Sequence, residues 1–217
     1  MARGGDVRAD TRADTRADVR PVFLAAGAAF VAVAASVDPG RLDEPATDAW
    51  TLRELLAHAT RGLTTVASTL AAPIDPSSRV LESASGYFAA AMAIPHVHEG
   101  IVQRARDAAA AMGDDPGGTA RAALATVAPL VEAAPPDRLV QHFAGRLRFD
   151  AYLAARVVEL TLHTADVQLA LGVPVSFPDA PARLTCDVLL ELMDRADPLA
   201  VACALTGRTG PTCQVLS

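Results

Sequence analysis

Between Tyr152 and Gly172 apolar residues run almost unbroken, and the polar residues that interrupt them fall at helical steps. Arg156, Glu159, His163 and Asp166 follow one another at intervals of three, four and three residues. At about 100° per residue these four share one helical arc roughly 80° wide. The segment predicts a buried helix with a single polar stripe, and that stripe must face water, a partner or a metal. Asp150 is placed to cap this helix and Gly172 to end it.

The same reading places other helices upstream. Pro21 suits a first helical turn, Val22 to Val37 continues the apolar pattern, and Asp38-Pro39-Gly40 ends it. Thr51-Leu52-Arg53-Glu54 has the spacing of a capping box, with Trp50 and Leu55 placed as a hydrophobic staple. The helix it opens runs to Ala72, where Pro73 stops it. Ser83 to Ala93 predicts a short helix, and Val97 to Met112 a longer one ending at Gly113. Asp114 to Gly118 reads as a turn, and Thr119 to Ala134 as a helix closed by Pro135-Pro136. A linker from Pro174 to Pro181 leads to a last helix over Ala182 to Arg195. Residues 200–205 fit strand or helix, and 207–211 read as a turn. The expected organisation is a frayed tail over 1–20, a helical bundle over 21–172 and a C-terminal extension over 173–217. Apart from a near-repeat of Arg-Ala-Asp-Thr in residues 8–20, there is no internal repeat.

Composition supports a helical core. The chain has 217 residues, enough for one well-buried core. Hydrophobic residues make up 51% and aromatic residues only 4%, so Ala, Leu and Val must build that core, which favours packed helices over sheets. A net charge of −6 argues against nucleic acid as a partner. All the basic residues are Arg, and without Lys there is neither a Schiff-base anchor nor a P-loop. Cys186, Cys203 and Cys213 show no CxxC spacing, so reduced thiols in a cytoplasm are expected. The run from Pro21 to Val37 follows arginines as a secretory signal would. Asp6, Asp10, Asp14 and Asp18 offset those charges, and the run is short for a membrane span. No membrane partner is therefore expected. The Ala-rich apolar helices suit pairing into a homodimer.

Two groups of residues offer chemistry. Glu159 and His163, at i and i+4, can share a cation, and His58 among apolar residues of the second helix is the best third ligand. Two nitrogens and a carboxylate leave an open position, as in catalytic metal sites. Zinc is the default ion, and nickel, iron or manganese suits the same donors. The alternatives are an intrahelical hydrogen bond for the pair, and a buried ion-pair network for Arg156 and Asp166 that Arg148 and Asp150 join. If the metal reading holds, Arg156 and Asp166 orient ligands or hold substrate anions. The second group is His96, His98 and Glu99, where Glu99 also suits a helix start. His142 reads as an isolated surface residue. There is no GxSxG, HExxH or strand-linked GxGxxG.

The segments Trp50 to His58 and Tyr152 to Asp166 resemble the mycothiol-dependent maleylpyruvate isomerase family of the DinB-like superfamily. Ala204 to Arg208 is similar to the tail of that family. The resemblance implies an all-α, DinB-like four-helix bundle with long crossovers and a short C-terminal extension. It implies a metal held by His58, Glu159 and His163, and mycothiol as thiol co-substrate. The stretch after His163 is shorter than the isomerase's C-terminal domain, which shifts the expectation towards S-transfer to a small electrophile, with Arg208 among the few arginines of the tail. Isomerisation of the maleylpyruvate type, a non-catalytic ligand-binding or stress protein, and a thiol-independent metallohydrolase are the alternatives.

Overall fold

The computed structural model describes residues 18–193, which form seven α-helices and a small three-stranded sheet. Residues 1–17 and 194–217 lie outside the described part, and with them the tetrapeptide repeat, Cys203, Cys213 and the 204–208 segment. Four helices make the bundle: α1 (Val19–Ala34), α2 (Leu52–Ala71), α5 (Pro116–Ala133) and α6 (Phe149–Leu171). Both α1 and α2 pack against both α5 and α6. The crossover from α2 to α5 carries α3 (Ala84–Met92), which packs on α6, and α4 (Val97–Met112), which packs on α2. The last described helix, α7 (Asp179–Met193), lies against α6 and α3. The architecture is the all-α bundle that the sequence predicts.

Apolar periodicity explains the packing. Leu52, Leu55, Leu56, Leu63 and Val66 recur on one face of α2 and are fully buried. Phe23 and Phe30 of α1 and Phe149, Tyr152, Leu153 and Leu160 of α6 meet them in the same core. Each such side chain contributes about 1.5–3 kcal/mol by leaving water. The capping box of α2 is complete: Glu54 N donates to Thr51 Oγ1 at 3.3 Å, and Thr51 N donates to Glu54 Oε2 at 2.9 Å. One close approach needs glycine, because a Cβ on Gly117 of α5 would lie 2.5 Å from Ala35 Cα.

Several boundaries differ from expectation for identifiable reasons. Helix α1 starts at Val19, three residues early, because Asp18 accepts from Arg20 N. Helix α5 starts at Pro116 inside the expected turn, because Asp115 Oδ1 accepts from Gly118 N at 2.7 Å. Asp150 is not the cap of α6. A hairpin of β2 (Leu139–His142) and β3 (Gly145–Arg148) runs straight into that helix, so Arg148 holds the cap position. The first amides of α6 are satisfied by loop carbonyls instead, Phe149 N donating to Arg138 O and Asp150 N to Pro136 O. Asp150 sits in the first turn and pairs with Arg148 at 2.7 Å. A short β1 (Val80–Leu81) joins β3 in parallel. These strands of two to four residues are too short to show an alternating pattern. Their role is positional: the hairpin carries His142 and Phe143 to one side of the bundle.

Candidate metal centre

The complete cap fixes the start of α2 and so the rotation of that helix, which turns His58 towards α6. On α6 the i, i+4 spacing places Glu159 and His163 one above the other. The three residues meet: one ligand atom from each of His58, Glu159 and His163 lies within 4.8 Å of the others. His58 Nε2 is 3.5 Å from Glu159 Oε2, and His163 Nε2 is 3.4 Å from the same oxygen. An ion held tetrahedrally at about 2.1 Å from its ligands separates neighbouring donor atoms by about 3.4 Å. The two imidazole–carboxylate separations match that edge, and all three donor atoms lie within 4.8 Å of one another, so the donor set suits a zinc-sized ion. The side chains remain 15–26% exposed, enough to be reached from the adjoining chambers.

Supporting groups hold the ligands in place. Asp166 Oδ2 lies 3.1 Å from His163 Nδ1, leaving Nε2 to face the cluster. Trp50 packs its ring 4.6 Å from that of His58 and 5.8 Å from that of His163. His58 Nδ1 is buried without a hydrogen-bond partner, so on that edge of the ring packing alone holds it while Nε2 faces Glu159.

Burial and charge set the protonation states. Burial lowers His58 below its ordinary value, outweighing the pull of Glu159. Burial also opposes the charge on His163, but hydrogen bonds to Asp166 and Glu159 together raise it to about 9. Glu159 is held well below the usual carboxylate range: burial works against ionisation, and His163, His58 and the Arg156 charge outweigh it. The metal-free centre at neutral pH is therefore a carboxylate between one neutral and one protonated imidazole.

The remaining candidate residues are distributed differently from the sequence reading. Asp166 contacts His163, and Arg156 and Asp166 do not form the ion pair considered above. The Arg156 guanidinium instead lies over the rings of Tyr87 and Tyr152, donating to Tyr87 Oη at 3.2 Å. Arg148 and Asp150 pair with each other at the start of α6. His96 and Glu99 form an exposed pair, while His98 lines a chamber beside His163. Among the described residues these three form no group with metal-ligand spacing; the group that could hold an ion is His58, Glu159 and His163. His142 is no isolated surface residue: it packs among Tyr87, Phe143 and Tyr152, and burial with nearby Arg charges lowers it to about 3. Tyr87 and His142 escape sequence reasoning because α3 and the hairpin are brought to α6 only by the tertiary fold. Trp50 carries a usable signal, since it directly precedes the cap that aims His58.

Two imidazoles and a carboxylate bordered by two chambers can polarise or ionise a small ligand placed against them. Among the described residues no helix is long and apolar enough to cross a membrane. The family model described as the mycothiol maleylpyruvate isomerase N-terminal domain matches residues 23–168, a span that contains every residue of this cluster. No curated protein and no solved structure matches the chain.

Proposed function

The chain belongs to the family of the mycothiol maleylpyruvate isomerase N-terminal domain, and from that premise we propose that it is a metal-dependent enzyme with mycothiol as thiol co-substrate. The observation that carries the reading is the convergence of His58, Glu159 and His163 at ligand-like separations. These three residues would hold the ion, with zinc first among divalent candidates and nickel, iron or manganese next. When bound, such an ion supplies the acidity that ionises a thiol at neutral pH. Asp166 fixes the His163 ring so that Nε2 faces the cluster, and the Trp50 ring walls off one side of both imidazoles. Arg156, one helical turn from Glu159, adds fixed positive charge beside the place where the thiolate and its target meet.

The thiolate attacks an electrophilic carbon. If the new C–S bond is kept, with the π bond of an activated alkene opened and its neighbouring carbon taking a proton, or with a leaving group expelled from a saturated carbon, the product is an S-conjugate, and S-transfer to a small electrophile is the activity we put first. If the thiolate is expelled after rotation about a former double bond, the product is a cis–trans isomer. The full chain, loaded with zinc, is to be incubated with mycothiol and a panel of small electrophiles and the products read by mass spectrometry. S-conjugates that vanish in His163→Ala support transfer. An isomer of unchanged mass supports isomerisation. Turnover that persists after all thiols are removed points to a metallohydrolase, and mycothiol binding with no product to a ligand-binding protein on the same bundle.

A further inference from the structure

Two chambers adjoin the centre, and they differ in kind. The one on the His58 side has arginines and His142 in its walls. The one on the His163 side, of about 200 Å³, is walled by Phe88 and Met92 of α3, Val158 and Leu162 of α6 and Leu189 of α7. No arginine lines it. Its polar groups are Glu159 and His163, which belong to the centre, and the exposed His98.

Helical periodicity builds this chamber against the centre. Val158 and Leu162 each directly precede a candidate ligand, Glu159 and His163, so an apolar stripe of α6 runs beside the polar one. Phe88 and Met92, likewise one turn apart, meet that stripe from α3. Phe88, Met92 and Glu159 border both chambers, so the two spaces join at the centre. Leu162 and Met92 are 37% and 36% exposed, which leaves apolar surface uncovered directly beside the reactive side chains. Because two lining residues are the centre's own, an occupant reaches the reactive atoms, as a substrate must and a docked protein segment need not. A carboxylate placed here would lose its water and gain no cationic side chain from the walls. An aromatic ring gains instead, since the Phe88 ring and the Met92 thioether both favour aromatic partners. An apolar cavity of about 150 Å³ holds benzene. The larger chamber here leaves room for one ring and a short substituent.

We infer that the chamber on the His163 side is the electrophile's subsite, and that it takes an uncharged electrophile carrying a single aromatic ring. The ring lies among Phe88, Met92 and Leu162, and the substituent that bears the reacting carbon points to Glu159 and His163. The polar chamber on the His58 side is left for the hydrophilic thiol. The part this site plays in catalysis rests on the thiol-transfer reading; the binding of the ring does not.

Calorimetric titration of the full chain, as purified and with no thiol present, tests it with toluene as an inert probe. One toluene per chain is expected, and benzoate, the same ring with a charge, should not displace it. Leu162→Gln puts an amide into the wall and should weaken toluene about fourfold or more, as the loss of roughly one methylene of apolar contact requires. Arg104→Gln, in the wall of the other chamber, should leave toluene affinity unchanged. If circular dichroism shows Leu162→Gln unfolded, Leu189→Gln decides. Absence of toluene binding means that the chain itself or a second copy fills the chamber, and overturns the proposal. Displacement by benzoate at equal concentration, or an affinity untouched by the folded leucine variants, overturns it as well. So does an affinity that falls in Arg104→Gln, which places the ring in the other chamber. Toluene neither ligates a metal nor reacts with a thiol, so this result is read separately from any test of turnover.

Discussion

Asp166→Asn probes the proton that the centre holds before it holds a metal. His163 lies between two carboxylates, whose hydrogen bonds outweigh burial and raise it to about 9. A metal that binds through Nε2 must displace the proton there. At pH 7 the gap of two units costs about 2.7 kcal/mol, a factor of about a hundred in apparent affinity. Affinity for zinc should therefore rise about tenfold per pH unit from 7 towards 9 and then level off. His58 is already neutral and Glu159 already ionised at pH 7, so the released proton comes from His163. In Asp166→Asn the amide oxygen still accepts from Nδ1–H and keeps the ring oriented, but one raising influence is gone. The levelling-off then moves to lower pH, and fewer protons are released at pH 7. Calorimetric titrations with zinc in buffers of different ionisation enthalpy count those protons. About one is expected for the native chain at pH 7 and clearly less for Asp166→Asn. Equal proton release in the two proteins, or an affinity that does not change between pH 7 and 9, would refute the reasoning.

Three further outcomes follow from the same structure. Thr51→Ala removes the side-chain half of the capping box and should cost about 1 kcal/mol, read as a shift of the urea midpoint without a change in slope. Gly117→Ala pushes a methyl into the backbone of Ala35 and should destabilise by about 1–3 kcal/mol in the same assay. In chelator-treated protein, the raised His163 contributes stability that is full below its ordinary value of 6.5 and lost as pH rises through about 9. The lowered Glu159 contributes stability present above its ordinary value of 4.5 and lost as pH falls. His58 and His142, lowered by burial, are neutral in the fold and take up protons on unfolding once pH falls below 6.5, so thermal melts of the metal-free chain should peak near pH 6.5 and decline both towards acid and towards pH 9.

The centre was legible where chemistry and periodicity coincide in one stretch of chain. Glu159 and His163 share a turn of one helix, and the cap at Thr51 fixes the helix that carries His58. Helices with strong end signals, such as α2 and α4, appear close to where the pattern puts them. The hairpin was not legible, because four-residue strands joined by Phe143-Ala144 bury too few alternating side chains to leave a signal. That omission hid His142 and displaced Asp150 from the cap of α6. Spacing also could not settle the partner of Arg156. A step of three or four residues specifies a shared face, but Tyr87 reaches that face from a different helix. The surroundings of a buried charge are a tertiary property, and here two aromatic rings stand where the alternative reading put an ion pair.

The central claim is that His58, Glu159 and His163 hold a metal with a position left open for a thiol. Cobalt-loaded protein tests it most directly, because a thiolate joining cobalt produces an intense near-ultraviolet charge-transfer band. The account predicts one cobalt per chain, a new band when mycothiol is added, and loss of both in His163→Ala and His58→Ala. Absence of stoichiometric metal binding, or metal and thiolate signals that survive both substitutions, would contradict it.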